Sequence, residues 1–131
     1  MIQPLSHPKR RKIAERDLSP QERGWIQEIL NAKSVWSDID LESTKVIAEC
    51  DCGECRSVYL DGPRNPALTG TVGYIGRIEI RTVNEFGITV TLDQLNGKLS
   101  ELYVSAMDLS DDGTRSFRDK WDEIVRIVEP M

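Results

Sequence analysis

Residues 88–106 read ITVTLDQLNGKLSELYVSA, and this stretch decides the fold. Apolar and polar residues alternate on both sides of Asn96-Gly97, which is the pattern of two half-buried antiparallel strands joined by a tight turn. A two-residue turn at Asn96-Gly97 would pair Leu92 with Glu101. That pairing scatters the apolar residues over both faces of the hairpin, so it is disfavoured.

A three-residue loop at 95–97 resolves this conflict. It pairs Val90 with Leu102 and therefore keeps one face of the hairpin apolar. It also places the glycine third in the loop, where a type I turn with a G1 bulge requires a left-handed residue. The sequence thus predicts a hairpin over 88–107 that turns at 95–97 and faces the core with Val90, Leu92, Leu102 and Val104.

A short amphipathic helix is predicted over about residues 20–32. Ser19 and Glu22 have the spacing of a capping box, and Pro20 suits the first helical position. Four apolar residues recur at helical spacing and form one buried stripe: Trp25, Ile26, Ile29 and Leu30.

The remaining pattern is largely of period two, which indicates strands. Residues 45–49 and 57–60 are predicted to pair as a hairpin whose tip carries three cysteines. Residues 72–81 predict a strand with one apolar and one charged face. Residues 121–128 fit either a helix or a strand.

These elements predict an α+β fold, with an N-terminal helix packed on a curved, mainly antiparallel sheet of five to six strands. The 131 residues suit one domain, placed at 19–131, behind a basic tail at 1–18. No apolar run approaches the roughly 18 residues that a membrane span requires.

Charge divides the chain into a basic start and an acidic remainder. Residues 1–16 carry five basic side chains against one acidic, whereas the other 115 residues carry 12 basic and 21 acidic. Nucleic-acid binding requires a basic face rather than a basic end, so no direct nucleic-acid partner is expected.

The cysteine cluster Cys50, Cys52 and Cys55 is the one stretch with metal-ligand spacing. A structural zinc site takes four Cys or His ligands, and the only histidine, His7, lies far away. Three crowded cysteines also fit a reducing compartment better than a disulfide framework, so we expect a cytoplasmic protein. The expectation is no cofactor; the alternative is zinc bound at the three cysteines.

Catalysis is the disfavoured class of function. With His7 alone in the basic tail, the body has no histidine for acid–base or triad chemistry. No pair of carboxylates is singled out by the pattern of residues either. The remaining class of function is a binding protein, whose anionic surface suits a basic partner.

In size, acidity and lack of catalytic groups, residues 17–131 resemble the bacterial immunity proteins that neutralise toxins, including those of contact-dependent growth inhibition. The resemblance is one of general character and rests on no motif. It implies tight binding to a cognate basic toxin domain, often a nuclease, in the cytoplasm of the producing cell. The alternative is a small metal-binding accessory or regulatory protein built around Cys50, Cys52 and Cys55.

Acidic residues in turns are the predicted contacts with such a partner, because loops on a rigid sheet usually carry recognition. The predicted partner-binding residues are Asp108, Asp111, Asp112, Asp119 and Asp122. Exposed aromatic residues nearby would supply the tightly packed centre of the interface. The candidates are Tyr59, Tyr74 and Tyr103.

Overall fold

The computed structural model describes residues 10–50, 56–82 and 85–109. Its helix and strands, in chain order, are β1 (Arg10–Asp17), α1 (Pro20–Leu30), β2 (Lys45–Cys50), β3 (Val58–Asp61), β4 (Val72–Arg81), β5 (Phe86–Leu95) and β6 (Lys98–Asp108). Short 3-10 turns lie in the connections that follow α1 and β3.

The six strands form one sheet in the order β1-β2-β3-β6-β5-β4, and every neighbouring pair is antiparallel. This confirms the predicted α+β class and the antiparallel sheet. Each hairpin joins strands that are adjacent in sequence, and the β3–β6 pairing joins the two halves of the sheet.

The predicted N-terminal position of the helix is wrong, because a strand comes first. Arg10–Asp17, which the sequence analysis assigned to a basic tail, forms β1 and pairs with β2. The strand is hard to recognise because six of its eight residues are charged and a register shift lies between Lys12 and Arg16. Ion pairs to α1 and β2, among them Arg11–Glu49 at 2.7 Å, hold this charged segment in place.

Helix α1 begins as predicted. The Ser19 hydroxyl accepts a hydrogen bond from the Glu22 amide, and the Glu22 carboxylate accepts one from the Ser19 amide. The predicted apolar stripe is buried and packs on β4 and β5. Close packing depends on Gly76 in β4, since a Cβ there would lie 3.1 Å from Cγ2 of Ile29.

The hairpin of β5 and β6 turns differently from the prediction. Leu95 pairs with Lys98, so the turn has two residues, and both Asn96 and Gly97 have positive φ, 56° and 83°. This is the type I′ geometry that Asn-Gly favours. The three-residue loop at 95–97 is therefore wrong.

A bulge in β6 restores the apolar face that the two-residue turn alone would lose. The partner of Asp93 is Glu101 while that of Gln94 is Leu99, so Ser100 is an extra residue in β6. Beyond it Val90 pairs with Val104, two residues away from the predicted register. The predicted apolar face is nevertheless correct, because a one-residue bulge reverses the alternation.

The core lies between α1 and one face of the sheet. Its largest fully buried side chains include Ile26 from the helix and Ile88, Val90, Leu92, Leu102 and Val104 from β5 and β6. Burying such side chains contributes roughly 1.5–3 kcal/mol each to the free energy of unfolding. The opposite face of the sheet carries no helix among the described residues.

Candidate functional site

One row of residues crosses all six strands on the face that carries no helix, which we call the helix-free face. The row follows directly from the strand registers, because residues opposite one another on paired strands share a face. Its members, from β1 to β4, are Lys12, Ala48, Tyr59, Glu101, Asp93 and Tyr74.

Two carboxylates lie side by side in the middle of this row. Asp93 on β5 and Glu101 on β6 are direct cross-strand partners, and their residues are only 6% and 3% exposed. Asp93 Oδ1 and Glu101 Oε2 are buried and have no hydrogen-bond partner. Like charges directly opposite on two strands repel, and burial without a partner adds a desolvation cost. This Asp93–Glu101 pair is therefore a stability cost that the core does not require.

The pair has raised proton affinity. Burial, reinforced by the neighbouring charge of Asp93, raises the pKa of Glu101 to about 7, against an opposing effect of the Arg10 guanidinium. Burial also raises the pKa of Asp93. Glu101 is thus divided between its protonated and charged forms near neutral pH, and perturbed carboxylates of this kind are concentrated at functional sites.

A cation is already present beside the pair. The guanidinium carbon of Arg10 lies 4.6 Å from the centre of the Tyr59 ring, and Tyr59 is the cross-strand partner of Glu101. A guanidinium over an aromatic face is favourable by about 0.5–1 kcal/mol at exposed sites. The basic β1 therefore supplies one positive charge to the site.

An exposed apolar patch adjoins the pair on its other side. Tyr74, the cross-strand partner of Asp93, is 59% exposed. Val72 and Leu95 are partners of each other on the same face and are 62% and 55% exposed. We call these three residues the Tyr74 patch; large apolar side chains grouped in this way on a surface are typical of binding sites.

The predicted contacts lie largely outside this site. Asp108 is the last residue of β6, opposite Phe86. Asp111, Asp112, Asp119 and Asp122 lie outside the described residues, as does the segment 121–128, so their assigned roles stay predictions. Of the three proposed aromatic anchors, Tyr74 is exposed, Tyr103 is half-buried and Tyr59 is buried.

The predicted pairing of β2 with β3 is confirmed, and of the cysteine cluster the structure describes Cys50. Cys50 ends β2, and its amide donates a hydrogen bond to the carbonyl oxygen of Ser57 across the hairpin. Residues 51–55, with Cys52 and Cys55, lie outside the described residues. Within the described ranges no group of three or more His, Cys, Asp or Glu side chains is arranged to hold a metal ion.

Sequence reasoning missed the Asp93–Glu101 pair because the partnership depends on the Ser100 bulge. The predicted register places Leu99 opposite Asp93, so the two carboxylates come together only in the observed one. One local signal was available: Asp93 continues the polar series of Thr89 and Thr91 and so belongs to the helix-free face.

Comparison with models of protein families, with curated proteins and with solved structures finds no match for this chain. Among the described residues, none of the helices is long and apolar enough to cross a membrane. The functional argument therefore rests on the site itself.

Proposed function

We propose that this protein is an immunity-type inhibitor that binds and blocks a cognate basic toxin domain, with a nuclease as the expected class of toxin. The observation that carries the proposal is the Tyr74 patch beside the Asp93–Glu101 pair. The patch offers an aromatic anchor and apolar area, while the pair supplies negative charge next to it.

The composition of the patch is that of the centre of a protein–protein interface. Tyr is among the residues that dominate binding energies, provided that surrounding contacts exclude water from it. Three side chains are too few for a complete interface, since stable complexes bury about 800 Å² on each partner. The Tyr74 patch would therefore be the centre of a larger contact.

Negative charge gives the proposal its preference for a basic partner. The chain carries a net charge of −5, so long-range attraction favours encounter with a basic domain. A cationic side chain of the toxin placed near Tyr74 would be attracted by the carboxylates of the pair. The predicted acidic residues Asp111 and Asp112 would add to this attraction from outside the described part of the chain.

Co-expression with the product of the neighbouring gene, followed by purification of the complex, tests the proposal. Failure of the two proteins to associate would end the immunity interpretation. With a complex in hand, Tyr74→Ala should weaken binding at least tenfold, because truncating a central aromatic anchor typically costs about 2 kcal/mol or more.

Val35→Ala is the matched control. Val35 is an exposed apolar residue that is not part of the Tyr74 patch, and its hydrogen bond with Asn65 Nδ2 is made by its backbone carbonyl oxygen. Its truncation should leave binding unchanged. If Tyr74→Ala and Val35→Ala weakened binding equally, the Tyr74 patch would not be the contact surface.

Stopped-flow association at two salt concentrations tests the electrostatic component. Higher salt should slow association of the wild type, because screening weakens attraction between exposed charges. The Asp111→Asn/Asp112→Asn double variant should associate more slowly at low salt. If neither higher salt nor the double substitution changed the association rate, Asp111 and Asp112 would be removed from the proposal.

A further inference from the structure

The two edges of the sheet differ in how they are protected against pairing with another strand. β1 forms one edge, and six of its eight residues are charged. β4 forms the other edge with ten residues, of which only Arg77, Glu79 and Arg81 are charged. Charge on an edge strand is a common defence against unwanted pairing, so β4 is the less protected edge.

The free side of β4 has no strand paired with it among the described residues. Its backbone donors and acceptors on that side are a template for another strand. The residues on its two faces differ: Gly76, Ile78 and Ile80 lie on the core side, whereas Arg77 and Glu79 lie on the helix-free face and form an ion pair with each other at 3.6 Å.

We propose that β4 pairs antiparallel with β4 of a second copy of this chain, with Ile78 on the two-fold axis. In a symmetric pair the same surface is used twice, so every contact away from the axis occurs twice. With Ile78 opposite Ile78 of the second copy, Arg77 of each copy lies opposite Glu79 of the other. This charge complementarity is the observation that selects a second copy of the chain as the partner of β4.

Alternative symmetric registers are poorer. An axis at Arg77 brings the two Arg77 side chains together, and an axis at Glu79 brings the two Glu79 side chains together. An axis at Ile80 would carry the pairing past Arg81, the last residue of β4, into the turn before β5. The Ile78 register keeps the paired stretch within the strand.

The Ile78 register also matches the two faces of the sheet. Gly76 lies opposite Ile80 of the second copy, so a small residue meets a large one on the helix side. Ile78 and Ile80 are half-buried and pack against the core, and pairing would cover their remaining apolar surface. The paired stretch Gly76–Ile80 excludes Val72 and Tyr74, so the inference is independent of the proposed function.

Sedimentation equilibrium of the wild type and three variants, over about 5–200 μM, tests the inference. The wild type should show a concentration-dependent dimer. Arg77→Glu and Glu79→Arg should each weaken dimerisation about tenfold, because each replaces two attractive cross-strand pairs by two repulsive ones. The double variant Arg77→Glu/Glu79→Arg restores both pairs and should dimerise like the wild type.

Lys12→Glu, an exposed charge reversal on the β1 edge, is the control and should leave the dimer unchanged. Circular dichroism melts verify that each variant is folded, which is expected because the Arg77 and Glu79 side chains are both exposed. A wild type that stays monomeric over this range overturns the inference. The inference is also overturned if Arg77→Glu and Glu79→Arg both dimerise like the wild type, or if the double variant does not dimerise like the wild type.

Discussion

Gly97 carries two separate constraints at a single residue. Its φ of +83° favours glycine, and a Cβ there would lie 2.4 Å from the carbonyl oxygen of Asn65. The same contact includes a hydrogen bond, because the Asn65 amide donates to the Gly97 carbonyl oxygen at 2.7 Å. Only a residue without a side chain meets both conditions.

Gly97→Val should therefore lower the free energy of unfolding by about 2 kcal/mol or more, measured by urea denaturation. Gly24→Ala is the control: Gly24 lies in α1, and a Cβ there meets nothing within 4 Å. That substitution should raise the free energy of unfolding by up to about 1 kcal/mol. Unchanged stability of Gly97→Val would contradict this description of the turn.

At the scale of elements, Arg16 and Glu22 join β1 to the first turn of α1. The guanidinium donates to both carboxylate oxygens, at 2.9 and 3.0 Å, and Glu22 also accepts from the Ser19 amide. Burial alone would raise the pKa of Glu22, but these hydrogen bonds outweigh it and lower the pKa. The charged carboxylate is thus the form that holds the two elements together.

Glu22→Gln should lower the free energy of unfolding at pH 7 by about 1–2 kcal/mol. A lowered pKa gives stability that is present above the unfolded-state pKa and is lost as pH falls through the folded-state value. The difference from the wild type should therefore shrink in thermal melts below about pH 4. Glu42→Gln, at an exposed residue, should change little; a deficit that persists in acid would contradict the argument.

Cys50 ends β2, and we expect no stoichiometric zinc at the cluster of Cys50, Cys52 and Cys55. A structural zinc site in a small domain contributes on the order of 10 kcal/mol, so a chelator would strongly lower the melting temperature if zinc were bound. We predict an unchanged melt with a chelator and no metal in elemental analysis. One equivalent of zinc, lost in a Cys52→Ser/Cys55→Ser variant, would instead favour the metal-binding alternative.

At the scale of the whole molecule, the Asp93–Glu101 pair makes stability depend on pH near neutrality. Glu101 has a folded-state pKa of about 7, above its ordinary value of 4.5. Between these two values the folded protein binds more protons than the unfolded chain, so stability falls as pH rises. The resulting loss in free energy of unfolding is absent below about pH 4.5 and reaches its full size, about 3 kcal/mol, above about pH 7.

Glu101→Gln should therefore be more stable than the wild type at pH 8, and its free energy of unfolding should change less between pH 5 and pH 8. Urea denaturation at several pH values measures both. Glu79→Gln is the control, because the Glu79 side chain is exposed. Wild-type stability that rises over this range would show that the pair is not buried as described.

The sequence by itself determined the features that depend on neighbouring residues. The capping box at Ser19 and Glu22, the pairing of β2 with β3 and the apolar face of β5 and β6 follow from local spacing, and all three are confirmed. The positive φ of Gly97 was also predicted, although for a longer loop. Local steric and hydrogen-bonding rules are sufficient for features of this kind.

Tertiary structure decided the rest. β1 is a strand because β2 and α1 offer partners for its charges, and no local rule identifies a segment as charged as Arg10–Asp17. The Ser100 bulge reconciles a two-residue turn with a single apolar face, and the hairpin pattern alone did not reveal it. Only that bulge places Asp93 opposite Glu101, so the candidate site depends on contacts between residues distant in sequence, where burial of the whole sheet outweighs local preference.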